Sequence, residues 1–143
     1  MEIRKMREIL FRAKDEASNK WVYGYYVHLP SAAGSVHIMQ VPAGNPDENN
    51  TAYYIIPETV GEYTGLTDRN GKKIFEGDIL KISEGNDEDD YVIQKVYAYR
   101  GVLCVDYWTP DWDFNALAFL DNDNGFVFEI VGNIHDNPEL VEG

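Results

Sequence analysis

The chain has 143 residues, 12 of them Lys or Arg and 25 Asp or Glu, for a formal net charge of −13. That is the size of one domain or of two small subdomains, and at 44% hydrophobic and 13% aromatic it is too apolar to be a disordered chain. A single cysteine, Cys104, excludes an internal disulfide framework, and no apolar run reaches the roughly 18 residues of a membrane span.

The charged opening, residues 1–16, lacks the apolar core of a signal peptide, so a cytoplasmic location is expected. Residues 1–20 carry six basic and four acidic side chains, whereas 101–143 carry nine acidic and no Lys or Arg. Phosphate binding needs clustered cations, so neither nucleic-acid nor membrane binding is expected.

Most segments carry strand signals. In 7–13, Ile9, Phe11 and Ala13 share one face, with Glu8 and Arg12 on the other. Residues 15–19 read as a turn, and 21–27, dense in β-branched and aromatic residues, completes a hairpin. Residues 35–41 are a third strand, 42–50 a loop by composition, and 52–56 a strand ending at Pro57.

The middle of the chain is the most legible part. Residues 61–67, with Gly65, are extended, and Asp68-Arg69-Asn70-Gly71 suits a turn begun by Asp68 with Gly71 at positive φ. Glu76-Gly77-Asp78 forms a second corner before the strand 79–82. An acidic loop follows at 85–90, then two strands within 91–107 folding at Tyr99-Arg100-Gly101. Thr109 as N-cap, Pro110 at the first helical position and Asp111 at the positive end of the dipole predict one short helix near 110–120. Residues 126–134 are a strand with Phe126, Phe128, Ile130 and Ile134 on one face, and 135–140 close as a turn or a single helical turn.

Familiar chemical motifs are approached and missed. Gly65…Gly71-Lys72 has five residues between its glycines where a phosphate loop has four, and Lys73 stands where a Ser or Thr would bind Mg²⁺. Asp121-x-Asp123-x-Gly125 lacks the later ligands of a calcium loop. The histidines, His28, His37 and His135, lack zinc spacing, although His28 and His37 could meet across neighbouring strands. Cys104 lies in an apolar strand, where a thiol is inert. No catalytic, metal or cofactor site is expected. Trp108 and Trp112, with Asp111 and Asp113, form a candidate interaction surface at the start of the helix.

These residues assemble into a resemblance. Residues 6–15 (MREILFRAKD), Trp21-Val22-Tyr23-Gly24, residues 54–61 and the close Glu129-Ile130-Val131-Gly132-Asn133-Ile134…Asn137-Pro138-Glu139-Leu140 resemble blocks of the YopX family of phage and prophage proteins. The most specific block is residues 63–79 (YTGLTDRNGKKIFEGDI), similar to the family's YTGLxDKNGKxIYEGDIV, with Arg69 for the usual Lys and Phe75 for the usual Tyr. The resemblance implies a mainly β (β-rich α+β) fold, one YopX-like domain over 1–143. Its possible subdomains are a β-rich part at 1–57 and a part similar to an SH3-type barrel at 58–143. It also implies a gene carried by a phage, prophage or mobile element, and no particular reaction.

The expected function is that of a non-enzymatic accessory protein, a protein-interaction module whose partner is a host or phage protein. Three Trp, ten Tyr and six Phe also admit homo-oligomerisation. Two alternatives stay open: an acidic mimic of nucleic acid that blocks a host DNA-binding protein, and an enzyme acting on a nucleotide or small molecule.

Overall fold

Side chains alternate between two faces along an extended strand, and that alternation organises the molecule. The structure, a computed structural model, describes residues 8–42, 51–85, 89–106 and 125–142. The chain divides into two compact units, Met1–Gly65 and Leu66–Gly143. Among the described residues every regular element is a strand or a short 3-10 turn, so the fold is mainly β. The helix expected near 110–120 lies outside the described residues.

The first unit contains β1 (Phe11–Lys14), β2 (Trp21–Leu29), β3 (Val36–Val41), β4 (Thr51–Tyr54), a 3-10 turn (Pro57–Thr59) and the start of β5 (Gly61–Thr67). The strands are ordered β4-β3-β2-β1-β5. Inward-facing Phe11, Ala13, Val22, Tyr26, Met39, Val41 and Tyr53 pack with Ile55. The first strand starts later than the sequence suggests: Ile9 is exposed rather than aligned with Phe11 and Ala13.

β2 changes partners along its length. Trp21 to Gly24 pair with β1, and Tyr25 to Leu29 pair with β3. Gly24 marks the corner, where a missing side chain lets two backbones approach closely. After Tyr54 the chain turns inward. Ile55 bridges to Asp15, and the Ile56 N–H donates to the Lys14 carbonyl at 2.9 Å, so the end of β4 returns to the end of β1. Thr59 Oγ1 accepts the Lys14 N–H at 2.8 Å, fixing that junction.

The second unit begins with the end of β5, which reverses at 68–72 into its sheet neighbour β6 (Lys73–Phe75). It continues with β7 (Asp78–Glu84), β8 (Tyr91–Lys95), β9 (Tyr97–Tyr99), β10 (Val102–Cys104), β11 (Phe126–Asn133) and a 3-10 turn at Pro138–Leu140. β11, β7 and β8 form one antiparallel sheet, and β9 and β10 a separate hairpin. Ile74, Leu80, Ile82, Val96, Val105, Phe126 and Phe128 are its buried core.

Two features depart from expectation. The 91–107 segment holds three strands, because Val96 breaks the run. Its N–H donates to the Asp78 carbonyl (2.8 Å) and its carbonyl accepts from Gly77 (2.9 Å). With both groups of Val96 committed to that corner, β9 pairs only with β10, so the described strands do not close into the expected SH3-type barrel. Second, the register of β11 on β7 shifts between Ile130 and Gly132. One extra residue, Val131, flips the faces of the residues after it, so Ile134 leaves the row formed by Phe126, Phe128 and Ile130.

The hairpin at Tyr99-Arg100-Gly101 forms where the sequence places it. Tyr99 pairs with Val102, leaving a two-residue loop with φ of 51° at Arg100 and 80° at Gly101, the signs a type I′ turn requires.

Candidate functional site

The residues of the central block turn out to hold the fold together. Asp68 is 4% exposed. Its Oδ1 accepts the N–H groups of Asn70 and Lys72, each at 2.9 Å, and its Oδ2 accepts the Ile130 N–H at 3.1 Å. The first two bonds form the turn that an Asp at this position favours. The third reaches the strand residue beside the β11 bulge. Burial pushes the carboxyl pKa up, but the backbone donors of Ile130, Lys72 and Asn70, with the Lys72 charge, outweigh it and hold the group below its ordinary value.

Gly71 closes the same turn at φ 80°, its N–H donating to the Asp68 carbonyl at 3.0 Å. A Cβ built on Gly71 meets nothing within 4 Å, so any cost of substitution comes from the backbone conformation alone. Gly71→Ala is therefore expected to destabilise the fold by about 1 kcal/mol, and Gly71→Asn by less, measured by urea denaturation. A neutral Gly71→Ala would contradict this account.

Asp78, 2% exposed, accepts the Phe75 N–H at 2.7 Å across the corner where Gly77 takes φ 94°. Gly65 also has positive φ, 88°, within β5. At the end of the chain Asn137 Oδ1 accepts the Asn133 N–H at 3.2 Å, and a Cβ on Gly132 would sit 2.6 Å from that oxygen. The Gly132-Asn133…Asn137 spacing is thus set by packing.

The remaining sequence candidates do not form one site among the described residues. Trp108, Asp111, Trp112 and Asp113 lie outside the described residues. Cys104 is buried, its Sγ 3.4 Å from the Val102 carbonyl, and burial followed by the Asp106 charge raises its pKa. The Tyr97 hydroxyl donates to Asp106 Oδ1 at 2.6 Å, and that bond, with burial, pushes its pKa up to about 12. His28 and His37 do meet, paired across β2 and β3 with rings stacked at 4.4 Å. His37 Nδ1 is engaged by the Tyr26 hydroxyl at 2.6 Å. Among the described residues no group of three or more His, Cys, Asp or Glu could hold a metal. A shallow cleft of about 330 Å³ beside His37 is lined by Glu16, Ser35, Tyr54 and Pro57.

What sequence reasoning missed is the outer face of the first unit. Tyr23, Tyr25, Val27 and Leu29 of β2 point away from the core and are 46%, 53%, 39% and 50% exposed. The register sets Gln40, Ile38 and Val36 of β3 beside Tyr25, Val27 and Leu29, and Ala52 and Tyr54 of β4 beside Gln40 and Ile38. Tyr54 is 66% exposed. None of these nine residues is charged. Towards β1 the face changes character: Arg12 and Lys14 are buried there, 4.6 and 5.6 Å from the Trp21 ring centroid. The signal was present in Trp-Val-Tyr-Gly-Tyr-Tyr-Val, where both alternating sets are apolar. A strand with one wet face carries polar residues on it.

A family model described as YopX protein matches residues 10–142. The chain belongs to the YopX family. Two solved structures share the fold. Protein EF1440 from Enterococcus faecalis aligns with 24% identity over 96% of this chain and 100% of that one, with a TM-score of 0.57. Protein yopX from Bacillus subtilis aligns with 22% identity over the same shares, with a TM-score of 0.56. No curated protein matches the chain. Among the described residues no helix is long and apolar enough to cross a membrane. Within this YopX-family chain, the most specific block of the resemblance, 63–79, coincides with the Asp68 and Asp78 corners, so its fixed spacing has a structural reason.

Proposed function

We propose that this YopX-family chain is a non-enzymatic accessory protein of a phage or prophage, working in the bacterial cytoplasm as a protein-interaction module. The observation that carries the reading is the uncharged outer face of β2, β3 and β4, in a chain of net charge −13. The largest exposed apolar patch on a soluble protein, typically about 300–600 Å², is often functional. The well-made corners at Asp68 and Asp78 support it by giving the polar central block a folding role.

The test is capture of partners from host extract with tagged protein and with the double variant Tyr25→Asp, Leu29→Asp, its fold checked by circular dichroism. Loss of captured partners in the folded variant is the expected result; an unchanged set would overturn the reading. The cation-free stretch 101–143 favours a second reading, the acidic mimic. In that case a basic partner binds, survives both substitutions, and is released by salt.

A further inference from the structure

From this face we infer that the protein associates with a second copy of itself, packing the outer faces of β2, β3 and β4 against each other about a two-fold axis. The inference rests on the interaction-module reading and names its partner. Three properties of the face select a second copy.

The first is area. Tyr23, Tyr25 and Tyr54 are 46%, 53% and 66% exposed. With about 150–250 Å² per aromatic side chain, they leave on the order of 300 Å² open. Val27 and Leu29 bring the patch to about 500 Å², or about 1,000 Å² for two copies, the lower bound of a specific interface. That area supports a reversible dimer.

The second is shape. Along one row of the sheet lie Tyr25, Gln40 and Ala52, and along the next Val27, Ile38 and Tyr54. A two-fold axis running along β3 exchanges β2 with β4 and keeps the rows. Tyr25 then meets Ala52 of the partner subunit, and Tyr54 meets Val27 of the partner subunit. Large side chains face small ones, as interdigitating layers require. Isologous contact demands such a self-matching pattern.

The third is charge. The nine residues of the face carry no charge, and the charged side chains beside it, Arg12 and Lys14 at Trp21 and Glu16 near Tyr54, lie at its border, so the face itself offers a foreign protein no charge pattern to read. The same fact fixes the sign of the salt effect. Two chains of −13 repel at a distance while the nine face residues can form no ion pair, so added salt should tighten the dimer.

The experiment is sedimentation equilibrium of the full chain between 10 μM and 1 mM, at 50 and 500 mM NaCl. The expected result is a concentration-dependent shift from one-chain to two-chain mass, with association at least twofold stronger at high salt. Tyr54→Asp and Leu29→Asp should each weaken it at least tenfold. Tyr99→Asp, at a residue 60% exposed in the second unit, should leave it unchanged. The salt series on the unaltered chain needs no variant to fold. A monomer throughout, a dimer loosened by salt, or one insensitive to both face substitutions would overturn the inference. If the chain stays monomeric but the face variant loses partners from host extract, the second copy is excluded and the interaction module stands. If capture ignores the face as well, both readings fall.

Discussion

Asp68→Ala should destabilise the second unit by about 3 kcal/mol, among the largest single-residue effects in the chain. Three backbone N–H groups lose their acceptor at once, those of Asn70, Lys72 and Ile130. Asn70 and Lys72 can turn to water; the Ile130 N–H, on the last residue of β11 in register with β7 before the bulge, loses the acceptor that Asp68 gives it. Asp68→Asn keeps the shape but turns an amide NH2 towards a backbone N–H donor, so it should cost about 1–2 kcal/mol.

The two variants also separate charge from geometry. The folded-state pKa of Asp68 lies below its unfolded value, about 3.9. Its charge-dependent contribution is therefore complete above the unfolded pKa and is lost as the pH falls through the folded one. Urea denaturation between pH 6 and pH 2.5 should show the unaltered chain losing more stability on acidification than Asp68→Asn. Equal acid slopes would mean that the carboxylate is not the group holding the turn to β11.

Gly24→Ala should be comparably damaging in the first unit, at about 3 kcal/mol. An added Cβ would fall inside contact distance of the Gln40 carbonyl oxygen, 3.0 Å from its carbon and 3.2 Å from the Val41 Cα. All three atoms are backbone, so no side chain can rotate out of the way. The strands must separate at the corner where β2 leaves β1 for β3. Hydrogen exchange gives the local reading. Amides of β2 and β3 should exchange far faster in Gly24→Ala, and those of β7 and β11 should hold. A loss below about 1 kcal/mol would show that the sheet opens there at little cost.

How far this could be foreseen depends on how local the cause is. The Asp68–Gly71 turn was legible because an Asp side chain caps its own turn two and four residues on, and Gly71 meets a steric demand of its own backbone. The His28–His37 meeting followed from two strands flanking a short reversal. The bulge at Val131 was not legible. The apolar alternation runs unbroken from Phe126 to Ile130, and the Ile130 N–H beside the bulge donates to Asp68, far away in the chain. The break at Val96 is likewise set by the distant Gly77 corner. The exposed face of β2 was hidden because aromatic density reads as burial until a register sorts the side chains into two rows.

The bond from Ile130 to Asp68 spans 62 residues, and β7, the middle strand of its sheet, pairs with both β8 and β11. A chain made from its N-terminus presents these pieces in order. The first unit can assemble as soon as β5 has emerged. The second unit has to wait: until Phe126 to Asn133 have been synthesised, Leu80 and Ile82 lack the strand that covers them and one arm of the Asp68 carboxylate is empty. That interval is when a nascent chain is most open to aggregation or proteolysis. A stall in translation between residues 85 and 125 would therefore endanger the second unit, while the first could already be complete.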